Sequence, residues 1–239
     1  PRIIVEHVSK WFNKRSARSL KDAFISVIKR QSTRSRQFQA LDDISFQIAE
    51  GESVAIMGLN GSGKSTTLKL VSGVLEPDEG RVFTRGRVAG LIEVGAGFHP
   101  DLTGRENVFL NAAILGMTEK ETKARYDEIV EFSGIGEFIE QEVKHYSSGM
   151  FMRLAFSVAI HVELDVLLVD EVLSVGDAPF RAKCDAKLRE LAEKGVTMMI
   201  VSHSKSIVKS LCSRGVVIRK GNVVFDGPID DALAVLERG

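Results

Sequence analysis

The chain has 239 residues, 44% of them hydrophobic, which is enough for one large α/β domain or for a core with an inserted subdomain. Its 32 lysines and arginines balance its 32 aspartates and glutamates, so no global positive field marks a nucleic-acid-binding protein, and we expect no nucleic acid partner. No apolar run approaches the roughly 18 to 20 residues that a membrane-spanning helix needs, so we expect any membrane span to belong to another chain.

Two aromatic residues and a basic segment follow the first predicted strand, which covers residues 3–8. Trp11 and Phe12 lie near the end of that strand. An aromatic ring at this place either packs in the core or offers a flat face on which adenine can stack. Residues 14–38 form a basic insert, with eight basic residues against one acid. Apolar residues at helical spacing predict an amphipathic helix over residues 20–30, which either packs on its own domain or faces a membrane or membrane protein.

A glycine-rich segment between a predicted strand and a predicted helix gives the most specific signal. Strands are predicted at residues 44–48 and 53–57, and residues 58–65 then have the sequence GLNGSGKS, which matches GxxxxGK[ST] at every fixed position. The helical spacing of residues 66–71 completes the strand, loop and helix that this motif requires. This context disfavours the alternative of an ordinary Gly/Ser-rich turn.

A loop of this kind binds the phosphates of a nucleotide. Its glycines let successive backbone N–H groups turn inward around phosphate oxygens, and the helix behind adds its positive N-terminal dipole. We expect Lys64 to contact the β- and γ-phosphates and the Ser65 hydroxyl to ligate Mg²⁺. The residues predicted to bind the nucleotide here are Gly58, Asn60, Gly61, Ser62, Gly63, Lys64, Ser65 and Thr66.

The middle of the chain is predicted to be mainly helical. One of its helices is opened by a capping box that Thr118 and Glu121 form. The helical block, residues 96–162, interrupts an alternation of strands and helices, so we interpret it as a subdomain inserted into an α/β core of residues 1–95 and 163–239. The predicted strands before it cover residues 81–83 and 87–92, and the predicted helices cover residues 104–115, 119–133 and 149–161.

Acidic residues follow the apolar strand predicted at residues 166–169. Beside a phosphate loop, Asp170 is predicted to hold Mg²⁺ and Glu171 to polarise the water that attacks the γ-phosphate; solvation of an ordinary strand end is the alternative. His203 follows a strand predicted at residues 197–201 and is a candidate for contact with the γ-phosphate, although a lone histidine is more often structural. The predicted catalytic residues are Glu171, His203 and Lys64.

The last strands and the cysteines carry less information about function. Strands at residues 215–218 and 223–225 are joined by a predicted hairpin turn at residues 219–222. Cys184 and Cys212 stand in helical patterns without the spacing of metal ligands. They are therefore predicted to be reduced thiols of a cytosolic chain.

Residues 146–150, with the sequence YSSGM, resemble the signature motif, usually LSGGQ, of ATP-binding-cassette ATPases. The phosphate loop, Asp170, Glu171 and His203 stand in the family's order, so the resemblance covers essentially the whole chain. It implies a phosphate-loop (RecA-like) α/β core with an antiparallel β subdomain and an inserted α-helical subdomain. It also implies a head-to-tail dimer that sandwiches ATP. The signature residues expected to bind the ATP of the second copy are Ser147, Ser148 and Gly149.

The same resemblance assigns roles to two further residues. It places Phe12, ahead of Trp11, at the position that stacks on adenine. Glu93 stands where most members of the family have a glutamine that touches Mg²⁺, so the resemblance adds Glu93 to the metal ligands Ser65 and Asp170.

Departures from the general pattern point to one branch of the family. Ser148 replaces a glycine, Met150 replaces a glutamine, and Val172 stands where a proline is common. With their neighbours, these residues resemble the ATPase subunits of bacterial exporters of lipid-linked polysaccharides, such as O-antigen, capsule, cell-wall galactan and teichoic acid.

Membership of that branch implies two cofactors, ATP and Mg²⁺, and two protein partners. The protein partners are a second copy of the chain and a separate membrane-spanning permease, which handles the lipid-linked glycan. The chain would then be a peripheral protein on the cytoplasmic face of the inner (plasma) membrane. The alternatives are a soluble cassette ATPase of DNA repair or translation, which usually has two cassettes or long coiled coils, and an unrelated phosphate-loop kinase.

Overall fold

The computed structural model of the chain describes residues 1–13, 37–91, 95–170, 176–202 and 204–238. The predicted features outside these ranges are the insert helix at residues 20–30, Glu93, Glu171, Val172 and His203.

One sheet is antiparallel and contains strands β1 (Ile3–Asn13), β2 (Gln37–Ile48) and β4 (Glu79–Thr84) in the order β2-β1-β4. The prediction that the first strand ends at residue 8 was wrong, since β1 continues through Trp11 and Phe12. Register shifts after Val5 and Val8 absorb the irregular backbone and let the pairing with β2 resume.

The predicted boundary of the basic insert was also wrong. Gln37 and Phe38 belong to β2 and pair with Asn13 and Phe12. The insert therefore ends at residue 36 at the latest. The first three residues of β2 are exposed, so this end of the strand has no buried apolar run to mark it in the sequence.

The second sheet is parallel apart from its last strand. Strands β3 (Ser53–Met57), β6 (Val166–Val169) and β7 (Thr197–Ile200) are buried along their whole length, as expected for parallel strands covered on both faces. The predicted strand at residues 87–92 was too long. It is β5 (Val88–Gly90), an edge strand that pairs with β6 alone in the described sheet. The order of strands is β5-β6-β7-β3-β8-β9, with β8 (Arg214–Arg219) and β9 (Asn222–Pro228).

The helices divide between this sheet and a layer of their own. Helices α2 (Gly104–Ile114), α3 (Glu119–Ser133) and α4 (Ser148–His161) pack around a separate apolar cluster. In this cluster Val108, Ile129 and Leu154 are each fully buried. The predicted capping box of Thr118 and Glu121 at the start of α3 is confirmed. In the described residues, no helix is long and apolar enough to cross a membrane. The helices are α1 (Lys64–Val71), α2 (Gly104–Ile114), α3 (Glu119–Ser133), α4 (Ser148–His161), α5 (Ala178–Glu193), α6 (Lys205–Leu211) and α7 (Ile229–Glu237).

The predicted hairpin between β8 and β9 is confirmed, and its turn connects the two sheets. Lys220 and Gly221 have φ angles of 50° and 83°, as in a two-residue turn with both central residues left-handed. The N–H of Gly221 donates to the carbonyl of Ser62 at 3.0 Å, and the N–H of Asp42 donates to the carbonyl of Gly221 at 2.9 Å. The turn therefore bridges the phosphate loop and β2.

Both cysteines are free thiols buried in the core, so we expect them to react slowly in the folded chain. Burial raises the pKa of Cys184 and of Cys212 to about 12. Because the thiolate is the reactive form, a pKa near 12 leaves roughly one thiol in ten thousand ionised at pH 8.

Iodoacetamide is therefore expected to leave both cysteines of the native protein unmodified at pH 8 and to modify both after unfolding in guanidinium chloride. Intact-mass spectrometry measures the two outcomes. A Val224→Cys variant, at a residue that is 46% exposed, is the control that should react in the native state. Rapid labelling of Cys184 or Cys212 in the native chain would contradict their burial.

Candidate functional site

The phosphate loop occupies residues 58–63, between the end of β3 and the start of α1. A Cβ atom at Gly58 would lie 2.2 Å from the carbonyl oxygen of Ile218, and one at Gly63 would lie 2.6 Å from a methyl carbon of Leu41. Gly58 and Gly63 also have φ angles of 154° and 113°, which side chains disfavour. The loop is thus held between β8 and β2 in a shape that only glycine allows at these two positions.

The loop and the first turn of α1 present hydrogen-bond donors suited to phosphate. Lys64 is 8% exposed, and its ammonium donates to the carbonyls of Gly58 and Leu59 at 2.9 and 3.0 Å. The buried Ser62 hydroxyl has no hydrogen-bond partner within the described part of the chain. Helix α1 starts after Gly63, which has no side chain to cap it, and its first turn contains no acidic residue. This arrangement fits an anion such as a nucleotide phosphate.

A cavity of about 280 Å³ opens beside this loop. It brings residues that the sequence predicts to bind the nucleotide together with the start of β2 and the end of β7. It is lined by Phe38, Ala40, Asn60, Gly61, Gly63, Lys64, Ser65, Thr66 and Val201.

Trp11 and Phe12, the two candidates for stacking on adenine, lie in different surroundings in the structure. Phe12 pairs directly with Phe38 across the β1–β2 ladder, so the two side chains lie on the same face of the sheet, and Phe38 lines the cavity. Trp11 instead lines a different cavity with Gln39 and Glu79. Stacking of adenine on Phe12 stays a prediction, and Phe38 is a cavity residue that the sequence analysis missed.

Asp78 fixes the aromatic end of β1. One of its carboxylate oxygens accepts the backbone N–H of Trp11 at 2.7 Å, and the other lies 3.2 Å from the ammonium of Lys10. The hydrogen bond from Trp11 is the main reason why the pKa of Asp78 is lowered. A carboxyl with a lowered pKa stabilises the fold above its usual pKa, and this contribution is lost as the pH falls through the folded-state value. The contact is therefore fully formed at neutral pH. It holds the strand that carries Phe12, whose ring centroid lies 5.9 Å from the Lys10 ammonium.

Two of the predicted metal ligands, Ser65 and Asp170, lie at one edge of the parallel sheet. Strands β3, β7 and β6 are parallel neighbours, so their carboxyl ends share one edge of the sheet. Asp170 follows β6 at this edge, and Ser65 is an exposed residue of the first turn of α1, which follows β3. A carboxylate and a hydroxyl oxygen suit Mg²⁺. The roles of Glu93, Glu171 and His203 stay predictions.

The signature segment begins α4 on the helical layer. The Ser147 hydroxyl caps the helix by accepting the N–H of Met150 at 3.2 Å, and Ser147 and Ser148 are exposed. Tyr146 anchors the segment, because its hydroxyl donates to the carbonyl of Phe138 at 2.7 Å. Burial is the main cause that raises the Tyr146 pKa to about 12, so the hydroxyl keeps its proton at neutral pH.

Within the described residues, Gly149 has no neighbour and no backbone angle that requires a glycine. A Cβ added there would meet the Ser147 hydroxyl at 3.9 Å, an ordinary contact, and its φ angle is not positive. Among the described residues, those lining the phosphate-loop cavity do not include residues 147–149. Small residues at an exposed helix start are suited to a close approach from another molecule.

The comparison with protein families decides the identity of this site. A sequence model described as ABC transporter matches residues 41–174, which include the phosphate loop, the signature segment and Asp170. The chain belongs to the ABC transporter family. The ABC-family fold predicted from the sequence is thereby confirmed.

Several relatives of this ABC protein are named for the export of O-antigen or of teichoic acids. It is 53% identical to the O-antigen export system ATP-binding protein RfbB of Klebsiella pneumoniae, over 79% of this chain and 76% of that protein. It is 51% identical to the ABC transporter protein AbcA of Aeromonas salmonicida, over 80% of this chain and 62% of that protein. The teichoic acids export ATP-binding protein TagH of Lactococcus lactis is 40% identical, over 99% of this chain and 51% of that protein. The chain thus spans between half and three quarters of these relatives.

Solved ABC cassettes share the fold of this chain. The dimeric cassette MJ0796, in a post-hydrolysis state bound to ADP and Pi, has a TM-score of 0.74 and 23% identity, and the match covers 95% of this chain and 98% of that one. An ATP-binding subunit of an ABC transporter gives a TM-score of 0.77 at 23% identity, over 97% of this chain and 91% of that one. These likenesses support the architecture of two sheets and a helical layer.

Proposed function

We propose that the chain is the ATP-hydrolysing subunit of an ABC exporter that moves a lipid-linked polysaccharide across the cytoplasmic membrane. The glycan is of the O-antigen, capsule, cell-wall galactan or teichoic acid type. The observation that carries the proposal is the phosphate cradle, with its buried Lys64 and uncapped helix start, in a chain 53% identical to an O-antigen export protein. The chain acts as a peripheral protein on the cytoplasmic face.

The cradle binds and orients the triphosphate of ATP. Backbone N–H groups of residues 58–65 and the Lys64 ammonium contact the β- and γ-phosphates and neutralise their charge. Ser65 and Asp170 would hold Mg²⁺, with Glu93 as a further ligand, and the metal would supply positive charge that stabilises the charge developing on the phosphates during hydrolysis. Glu171 orients and polarises the attacking water.

A second copy of the chain completes the site. The exposed start of α4, with Ser147, Ser148 and Gly149, supplies N–H groups and a hydroxyl to the γ-phosphate held by the other copy. ATP therefore stabilises a closed head-to-tail dimer, and hydrolysis releases it.

An apolar groove between the core and the helical layer is the proposed contact for the permease. It encloses about 320 Å³, and its rim carries Val74 and Ile114, which are 54% and 59% exposed. Exposed apolar side chains grouped around a groove are typical of an interaction site. The groove also contains Gly90 and Gly95, which flank in sequence the segment that carries Glu93. Binding of the permease there would connect its movement with the metal site.

Removal of the chain from its own cell tests the proposed function. A strain without the chain is expected to lose its surface polysaccharide and to accumulate the lipid-linked glycan inside, because the permease has lost its motor. Surface staining and extraction of lipid-linked glycan measure the two quantities. Unchanged surface polysaccharide in this strain would favour the alternative of a soluble ATPase that is not coupled to transport.

A second arm tests the groove. Val74→Asp combined with Ile114→Asp is expected to leave ATP hydrolysis by the purified chain unchanged, to prevent co-purification of the permease in detergent and to abolish export. Val224→Asp, on β9, replaces a residue of similar exposure and is the matched control that should export normally. Normal co-purification and export by the double variant would place the permease contact elsewhere.

A further inference from the structure

Strand β2 lies directly against the phosphate loop. The carbonyl oxygen of Ala40 would lie 2.9 Å from a Cβ atom at Gly63, and the turn at Gly221 hydrogen-bonds to both Ser62 and Asp42. These contacts fix the first half of β2 relative to the phosphate cradle. Side chains on this part of β2 therefore have a defined place in the nucleotide site.

Phe38 is the large apolar residue of this segment that faces the cavity. It is 49% exposed, and Phe12, directly opposite in the ladder, is 37% exposed. One exposed phenylalanine needs no explanation, but two that pair across the strands, one of them lining a cavity that reaches Ser65 and Thr66, place exposed aromatic area next to a phosphate site.

The chemistry of this surface selects its ligand. Phenylalanine rings offer a π face and apolar area but no hydrogen-bond donor or acceptor, so they suit a planar heteroaromatic base and the apolar side of a sugar. The phosphates of a nucleotide are expected at the start of α1. The nucleoside then extends towards the part of the cavity formed by the start of β2, which pairs with the end of β1.

We infer that Phe38 is a second nucleoside-contacting residue, which forms with Phe12 a two-ring platform for the purine nucleotide. The inference rests on the proposed function, because it takes the phosphate loop to hold ATP. Phe12 stacks on the base, and Phe38 packs against the ribose and the adjacent edge of the base at the mouth of the cavity. Because rings do not distinguish the amino group of adenine from the carbonyl of guanine, Phe38 contributes affinity without base selectivity.

Calorimetric binding to the purified full chain tests the inference with three probes: ATP, GTP and inorganic tripolyphosphate, which has no nucleoside. Phe38→Ala is expected to weaken binding of ATP and of GTP by about tenfold each, within the range for base–aromatic stacking. Binding of tripolyphosphate should not change. Phe38→Tyr, which keeps the ring, should bind both nucleotides like the unmodified chain.

Phe83→Ala is the matched control. Phe83 has the same exposure as Phe38, 49%, and belongs to β4 of the same sheet, but it does not line the phosphate-loop cavity. It should leave all three affinities unchanged.

Three outcomes would overturn the inference: unchanged ATP affinity in Phe38→Ala, an equal loss of tripolyphosphate affinity, which would indicate damage to the loop, or a loss for ATP alone. Failure of the unmodified chain to bind ATP is a different result, and it would contradict the proposed function itself.

Discussion

Lys64→Ala is expected to weaken ATP binding by roughly a hundredfold or more, because it removes charge-assisted hydrogen bonds from the centre of the phosphate cradle. The unmodified ammonium is 8% exposed and is held by the carbonyls of Gly58 and Leu59. Low exposure to water strengthens its attraction to phosphate, and the two carbonyls keep it in place before the nucleotide arrives.

Thermal unfolding and calorimetry measure this effect together. A ligand that binds only the folded chain raises its melting temperature, so excess ATP should stabilise the unmodified protein and leave Lys64→Ala almost unchanged. Lys69→Ala, a change of the same type in the last turn of α1, is the control and should respond to ATP normally. An affinity of Lys64→Ala within threefold of the unmodified value would contradict the role of Lys64.

Much of the core around the site follows from local sequence. The strand, loop and helix at residues 53–71 are predictable because a short apolar strand, fixed glycines and helical spacing are contiguous in the chain. The capping box of Thr118 and Glu121 is equally local. The signature segment is recognisable for the same reason, since its residues cap the helix that they begin.

Features that depend on strand pairing were not predictable. Phe12 and Phe38 are far apart in the sequence, and only the register of β1 with β2 places them at directly opposite positions of the two strands. That register includes bulges near His7 and Asp43, two non-glycine residues with φ angles of 50° and 48°. Sequence periodicity carries no signal for such local irregularities, because a bulge shifts every later side chain to a new partner.

Gly149→Ala is expected to leave the fold and ATP binding intact and to lower ATP hydrolysis by about a hundredfold, the order of effect seen when an oxyanion contact is lost. Alanine at position 149 meets no close neighbour among the described residues, and alanine is a better helix former than glycine. The loss of hydrolysis would therefore report on a molecule that approaches Gly149 from outside, which we propose is the ATP of the second copy.

Gly104→Ala is the contrasting change at the start of another helix. A Cβ atom there would lie 2.1 Å from the Tyr146 hydroxyl and 3.0 Å from Ile139, so this variant is expected to lower the melting temperature. Comparison of the two variants therefore distinguishes a glycine that the fold of the chain requires, Gly104, from a glycine that contact with a second copy requires, Gly149.

Mixed dimers decide whether the two copies share their sites. When Gly149→Ala chains are combined with Lys64→Ala chains, each mixed dimer has one site with both changes and one site with neither. Hydrolysis should therefore recover in part, although each variant alone hydrolyses ATP only slowly. If Gly149→Ala hydrolyses ATP at the unmodified rate, or if activity does not return despite confirmed exchange of subunits, independent composite sites are ruled out. Recovery, in contrast, requires that the start of α4 on one copy acts on the phosphate loop of the other.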